Sequence, residues 1–203
     1  MISDKYNSIA KKSEGIYKEK GSKFLAFAYP IFSEKEFKEY LAQLKKDYHD
    51  ARHHCYAFKL GLDENNYRYS DDGEPNNSAG APIFGQIQSF RLTNIAIVVV
   101  RYFGGTKLGV GGLVTAYKEA AKDALQNATV IQKTVDNYYQ LEFGYELMSE
   151  VMSFIKQNQL EVINQTMTEK SIIEFRIRQA EAHEIINLLQ KIESLKIELL
   201  KIE

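Results

Sequence analysis

Residues 95–124 decide the fold and read IAIVVVRYFGGTKLGVGGLVTAYKEAAKDA. The first six are Ile, Val or Ala, which predicts a strand buried on both faces. Five glycines follow within nine residues, and apolar residues then recur at helical spacing from Leu113 onward. Backbone N–H groups are unpaired at the start of a helix, and glycine leaves room for a phosphate. The order strand, glycine-rich loop, helix therefore predicts an anion-binding site.

The loop matches neither of two common nucleotide-binding motifs. Val110 and Gly111 stand where a Walker A motif needs Lys and Ser or Thr, and Val114 replaces the third glycine of a dinucleotide fingerprint. A purely structural role for the glycines, as a tight turn, stays open. We favour phosphate or RNA binding because Arg101 and Lys107 flank the loop. The candidate residues are Arg101, Gly104, Gly105, Thr106, Lys107, Gly109, Gly111 and Gly112, extended by Lys23, Arg52 and His54.

Composition is that of an ordinary globular chain of 203 residues with a formal net charge of −1. Residues 1–135 hold 19 Lys and Arg against 15 Asp and Glu, whereas residues 136–203 hold 7 against 12. A mildly basic N-terminal part permits RNA binding without arguing for it. Only one cysteine is present, so no disulfide can form within the chain. Together with the lack of an apolar leader or membrane-spanning run, this predicts a cytoplasmic protein without membrane partners.

Two further clusters carry chemistry. Residues 49–55 read HDARHHC, which could supply a Cys–His pair, but we interpret them as a half-buried Cys55 beside surface histidines. Zinc is disfavoured because no second cysteine exists. Asp71, Asp72 and Glu74 lie in a segment dense in turn formers, for which we expect a mobile surface loop. These carboxylates form a possible acidic site for Mg²⁺, although a solvated turn is the simpler interpretation. We expect no metal and no cofactor.

The remaining pattern predicts two domains, residues 1–132 and residues 136–203. In the first we expect a hairpin near Gly21, a capping box of Ser33 and Glu36 that opens a helix to Asp47, and a short helix over residues 80–90. In the second, alternating and helical segments follow in the order βαββαβ, which is typical of a ferredoxin-like domain. Its last helix is expected to place Ile185, Leu188, Leu189 and Ile192 inward.

Residues 101–113, RYFGGTKLGVGGL, closely resemble the signature of the YigZ/IMPACT family. Residues 21–24 (GSKF), 51–57 (ARHHCYA) and 70–75 (SDDGEP) match the family as well, so the resemblance spans residues 21–125. It implies an α+β protein: a ribosomal protein S5 domain 2-like domain, then a domain similar to the last domain of elongation factor G. Small-molecule kinases share the first fold, but the serines typical of their phosphate loop are absent here.

Eukaryotic members of the family regulate translation by competing for an activator of a stress-responsive kinase. The resemblance thus implies a translation-associated regulatory protein that binds RNA, the ribosome or a translation factor through the glycine-rich loop. Two alternatives stay open. One is an enzyme acting on a phosphorylated small molecule or nucleotide, and the other is a protein-docking module that binds no nucleic acid.

Overall fold

The computed structural model describes residues 4–167 and 170–202. It shows a mixed α/β protein with two compact units, one of residues 6–132 and one of residues 4–5 and 133–202. The polar turn predicted at residues 168–170 lies mostly outside the described residues. Within the described part of the chain, no helix is both long enough and apolar enough to cross a bilayer.

The first unit is built around one antiparallel sheet with strand order β2-β3-β6-β4-β5. β1 and β7 pair separately as a two-stranded sheet. In chain order the elements are β1 (Lys5–Ile9), β2 (Ser13–Glu19), β3 (Ser22–Pro30), α1 (Glu34–Asp47), β4 (His53–Lys59), β5 (Tyr67–Ser70), α2 (Gly80–Ser89), β6 (Ile95–Tyr102), α3 (Gly109–Gln126) and β7 (Val130–Thr134).

The central strand β6 is buried on both faces, as its apolar run predicts. On one face Val98 and Val100 pack with Phe37 and Leu44 of α1. On the other face, Ile97 and Val99 join the core formed with α2 and α3. The helical spacing noted from Leu113 onward is confirmed, because it coincides with the seven buried residues of α3: Leu113, Ala116, Tyr117, Ala120, Ala121, Ala124 and Leu125. A helix on either side of the sheet explains why β6 contains no polar residue before Arg101.

Local signals in the first unit are confirmed. The β2–β3 hairpin turns at Lys20 and Gly21, both with positive φ. Ser33 caps α1 by accepting a hydrogen bond from the Glu36 N–H at 3.2 Å, and the Glu36 carboxylate accepts one from the Phe32 N–H at 2.6 Å. The predicted short helix is α2, with Ile83, Phe84 and Ile87 buried.

The second unit contains a four-stranded antiparallel sheet with strand order β11-β8-β10-β9. Its elements are β8 (Asp136–Phe143), a 3-10 turn (Tyr145–Leu147), α4 (Met148–Gln157), β9 (Glu161–Met167), β10 (Ser171–Arg178), α5 (Gln179–Leu189) and β11 (Lys196–Ile202). Leu189 is buried, but the inward placement of Leu188 is wrong, because that side chain is 36% exposed. The buried stripe of α5 runs through Ala182 and Leu189, and Leu188 lies on its flank.

Candidate anion-binding site

One cavity of about 770 Å³ lies where β6 ends, β4 begins and α3 begins. The start of β4 and the end of β6 are neighbours because the two strands are antiparallel, with His53 directly opposite Arg101. Paired residues project from the same face of a sheet. The lining residues are Asp50, Ala51, Arg52, His53, Glu74, Pro75, Arg101, Tyr102, Phe103, Lys107, Leu108, Gly109, Val110 and Leu113.

Arg101 is the central charged group of this cavity, and its side chain is only 8% exposed. One of its terminal nitrogens, Nη1, lies 2.5 Å from Glu74 Oε1, which also accepts a hydrogen bond from the Tyr117 hydroxyl at 2.8 Å. The guanidinium carbon lies 5.5 Å from the centroid of the Phe24 ring and 5.7 Å from that of the Phe103 ring. Among the described residues the buried Nε–H has no hydrogen-bond partner. Arg101 thus keeps one donor that the described residues leave unsatisfied, although its charge is paired with Glu74.

The acidic segment after β5 forms hydrogen bonds and an ion pair with the rest of the first unit. Its interpretation as a solvated turn is therefore wrong. The Asp71 carboxylate accepts hydrogen bonds from the backbone N–H groups of Asn77, Ala79 and Gly80 at 2.8–2.9 Å. The side chain of Glu74 is 4% exposed because it pairs with Arg101. Turn-forming composition identified an irregular segment but not its burial, which comes from a partner 27 residues away.

The carboxylates of this segment bind protein groups rather than one another. Asp72 Oδ2 accepts the His54 backbone N–H at 2.7 Å, and Asp72 Oδ1 lies 3.7 Å from Lys45 Nζ. Across residues 4–167 and 170–202, no group of three or more His, Cys, Asp or Glu side chains could hold a metal ion. Only Glu74 of the three acidic candidates lines the cavity.

The histidines and the cysteine of β4 differ from expectation. Cys55 is fully buried, not half-buried, and its thiol lies 2.9 Å from the Asp71 carbonyl and 3.3 Å from the Tyr117 hydroxyl. Burial raises the pKa of this thiol, so it is a poor nucleophile. His54 is 5% exposed rather than on the surface, and burial lowers its pKa. His54 directly follows His53, the residue that is paired with Arg101. Because successive residues of a strand project from opposite faces, the His54 side chain lies on the face opposite to Arg101.

His53 lines the cavity in place of His54. Its Nδ1 lies 2.9 Å from the Asp72 backbone carbonyl oxygen, which can only accept a hydrogen bond. The Nδ1 atom therefore carries the proton, and in the neutral imidazole Nε2 is left as an acceptor. Alternation along β4 shows only that His53 and His54 lie on opposite faces. The register with β6 is needed to decide which of them lines the cavity.

The loop between β6 and α3 combines structural glycines with a free helix end. At Gly104 a Cβ would lie 1.9 Å from the Gly21 carbonyl carbon, and Gly109 has φ +72°. Local reasons also exist for Gly105, with positive φ, and Gly112, packed on Leu108, whereas Gly111 has neither constraint. Four of the five glycines are therefore required by the fold itself, whether or not the loop also binds a ligand. α3 itself has no side-chain cap and no acidic residue in its first turn.

The structure brings Arg52, Arg101, Lys107 and Gly109 together at the cavity and leaves other candidates outside it. Gly105 and Thr106 are exposed in the loop, and Lys23 lines a neighbouring depression. Within the described ranges, Arg52 and Lys107 have no ion pair or hydrogen bond from their side chains. Two cationic side chains are thus available beside Arg101.

Besides His53, sequence reasoning missed other residues that line this cavity, among them Asp50, Tyr102, Phe103 and Val110. The Tyr102 hydroxyl donates to Asp50 Oδ1 at 2.7 Å. That bond raises the pKa of Tyr102 to about 12 and lowers the pKa of Asp50. An aromatic pair directly after Arg101 is the signal in the sequence that could have identified Tyr102 and Phe103.

Comparison with known proteins identifies the family. Residues 20–125 match the Impact N-terminal domain. The chain is 33% identical over 158 residues to an IMPACT family member of Haemophilus influenzae, covering 76% of this chain and 77% of that protein. It is 36% identical over 129 residues to the IMPACT family member YigZ of Escherichia coli, covering 63% of each.

A solved structure of a hypothetical protein is similar over the whole chain. It has a TM-score of 0.75 and 27% sequence identity, and the alignment covers 98% of this chain and 99% of that one. The family model and the sequence relatives point to the same family, and residues of its signature line the cavity. This chain belongs to the IMPACT family.

Proposed function

We propose that this protein is a cytoplasmic regulator linked to translation that binds phosphate groups of RNA in the cavity at the start of α3. The observation that carries the proposal is Arg101, a buried cation that lines a cavity with Lys107 and an uncapped helix start, and whose Nε–H has no partner among the described residues. Helix starts and arginine donors both favour phosphate oxygens. The proposed link to translation rests on the family, whose eukaryotic members regulate translation.

The sheets support a finer assignment of the two domains within this proposal. We assign residues 1–132 to the ribosomal protein S5 domain 2-like group and residues 136–203 to ferredoxin-like domains similar to the last domain of elongation factor G. Support for the second assignment is the strand order β11-β8-β10-β9, with a helix after β8 and another after β10. Both fold groups occur in ribosome-associated proteins, which is consistent with a role in translation and adds no chemistry of its own.

Filter binding of RNA to the full chain at about 50 to 200 mM salt tests the proposal, because each phosphate contact adds about 0.7 to 0.9 to the slope of log K against log salt. Lys107→Ala should weaken binding and lower that slope by the same amount. The matched control is Lys118→Ala, which removes an exposed lysine of α3 outside the cavity. Binding that does not respond to salt, or an equal loss in both variants, would contradict an RNA-binding role for this cavity.

A second candidate function is an enzyme acting on a phosphorylated small molecule or nucleotide. The observation that favours it is His53, whose Nδ1–H is held by the Asp72 carbonyl so that Nε2 is left to accept a proton beside Arg101. A thermal-shift screen of nucleotides with Mg²⁺ separates the two functions. Stabilisation by one nucleotide that disappears in His53→Ala supports the enzyme, whereas stabilisation only by RNA supports the regulator.

A further inference from the structure

A second depression, of about 460 Å³, adjoins the cavity and shares Tyr102 and Phe103 with it. Its other lining residues are Ile16, Lys18, Gly21, Lys23, Leu25 and Tyr48. It lies across the ends of β2, β3 and β6, where Lys18 is directly opposite Lys23 and Lys23 is directly opposite Tyr102. Because neighbouring strands lie about 4.8 Å apart, this row of three residues spans about 10 Å.

Phe103 lines both depressions and is 55% exposed. Its ring lies 5.7 Å from the Arg101 guanidinium carbon, so the cation supports an aromatic surface that faces solvent. An exposed phenylalanine held by a buried arginine is positioned to stack on a planar ring. Such stacking accepts any base, but it requires a base that is not already paired and stacked in a duplex.

The charge along both depressions suits a polyanion. Five cationic side chains line them, namely Lys18, Lys23, Arg52, Arg101 and Lys107, against two carboxylates, Asp50 and Glu74. Both carboxylates are already engaged, Asp50 by the Tyr102 hydroxyl and Glu74 by Arg101. Among the described residues, neither Lys18 nor Lys23 forms an ion pair through its side chain. The floor of the second depression adds apolar surface from Ile16 and Leu25.

We infer that the two depressions form one continuous track for single-stranded RNA, which crosses the end of the sheet over Phe103. One phosphate binds at Arg101 and the start of α3, the adjacent base stacks on Phe103, and a further phosphate meets Lys23 and Lys18. This inference rests on the proposed function, because it uses the same phosphate site. It adds the single-stranded state of the ligand, a length of at least two nucleotides and a base-stacking residue.

Fluorescence anisotropy with a labelled eight-nucleotide oligouridine tests the track, with an RNA duplex of the same length and uridine monophosphate as competitors. The single strand should bind more tightly than the duplex, and the mononucleotide should compete poorly. Phe103→Ala should lower affinity for the single strand about 5- to 150-fold, the range of one base–aromatic stack. Phe103→Tyr should restore binding, and Lys23→Ala should reduce the salt slope by about 0.7.

Two controls separate failure of the track from failure of the phosphate site. Tyr145→Ala removes an aromatic side chain that is 84% exposed and lines neither depression, so it should not change affinity. Unchanged affinity in Phe103→Ala while Lys107→Ala still weakens binding would overturn the track and leave the phosphate site standing. Tighter binding of the duplex would also overturn it. If Lys107→Ala has no effect, or neither RNA binds at low salt, the proposed function itself fails.

Discussion

The first unit begins two of its helices in opposite ways. The start of α1 is completed by its own side chains: Ser33 accepts the Glu36 N–H, Glu36 accepts the Phe32 N–H, and Glu34 and Glu36 place negative charge in the first turn. The start of α3 has no side-chain cap and no acid, and it faces a cavity with Arg101 and Lys107. Both helices carry the same partial positive charge at this end.

The difference separates a stabilising helix start from a binding one. At α1 the unpaired N–H groups and the helix dipole are satisfied within the chain, so that end stabilises the fold and has little left for a ligand. At α3 the same groups are left for an external anion, and cationic side chains surround them instead of acids. The contrast predicts that substitutions at the start of α1 lower stability without changing binding, whereas substitutions at the start of α3 change binding.

The largest expected effect is structural and concerns Gly104, which precedes α3 but packs against the β2–β3 hairpin. A Cβ there would lie 1.9 Å from the Gly21 carbonyl carbon, so Gly104→Ala requires the backbone to move. We expect a loss of about 3 kcal/mol in the free energy of unfolding, at the upper end for overpacking. Urea unfolding measures it, and an unchanged midpoint would show that the close contact carries no energy.

A smaller loss is expected when the α1 start is disrupted. Ser33→Ala removes the acceptor of the Glu36 N–H and should lower the free energy of unfolding by about 1 kcal/mol. RNA affinity should stay at the wild-type value, because Ser33 lines neither depression. A fall in affinity at temperatures where the variant is fully folded would show that the two helix starts are not functionally distinct.

The smallest effect concerns His54, which lies on the α1 face of the sheet, opposite the cavity. Burial lowers its pKa, with Asp72 partly opposing the shift, so the unfolded chain takes up the proton first as the pH falls. Stability should be highest above pH 6.5, the ordinary value, and should fall as the pH drops through it. Urea midpoints on either side of that pH measure the change, and His54→Phe should flatten it. A wild-type midpoint that rises on acidification would contradict the buried neutral form.

Local patterns predicted most of the elements. Helical spacing identified every buried position of α3, and the S-x-x-E pattern identified the cap of α1. Such features depend on residues close in sequence, where geometry follows from the backbone alone. The wrong placement of Leu188 shows the limit of such patterns. The predicted inward face of α5 included Leu188, which lies one residue away from the buried Leu189.

The site was only partly predictable because its contacts join distant segments. Arg52, Arg101 and Lys107 were identified by charge near the glycine loop, and the structure places all three at the cavity. Choosing His53 over His54 needs the β4–β6 register, which no single strand reveals. The burial of Glu74 depends on Arg101 and Tyr117, which are 27 and 43 residues away, so loop composition suggested solvent instead.

The most direct test transfers the α1 arrangement to α3. Val110 is 56% exposed, lines the cavity and lies in the first turn, so Val110→Glu adds the missing acid and Val110→Gln is the uncharged control of the same shape. Relative to Gln, the Glu variant should be more stable by about 0.3 to 1 kcal/mol, because a negative charge favours a helix start. Its affinity for single-stranded RNA should fall about tenfold or more, the worth of one hydrogen bond to a charged group. Equal RNA affinity in the two variants would contradict an anion-binding role for the start of α3.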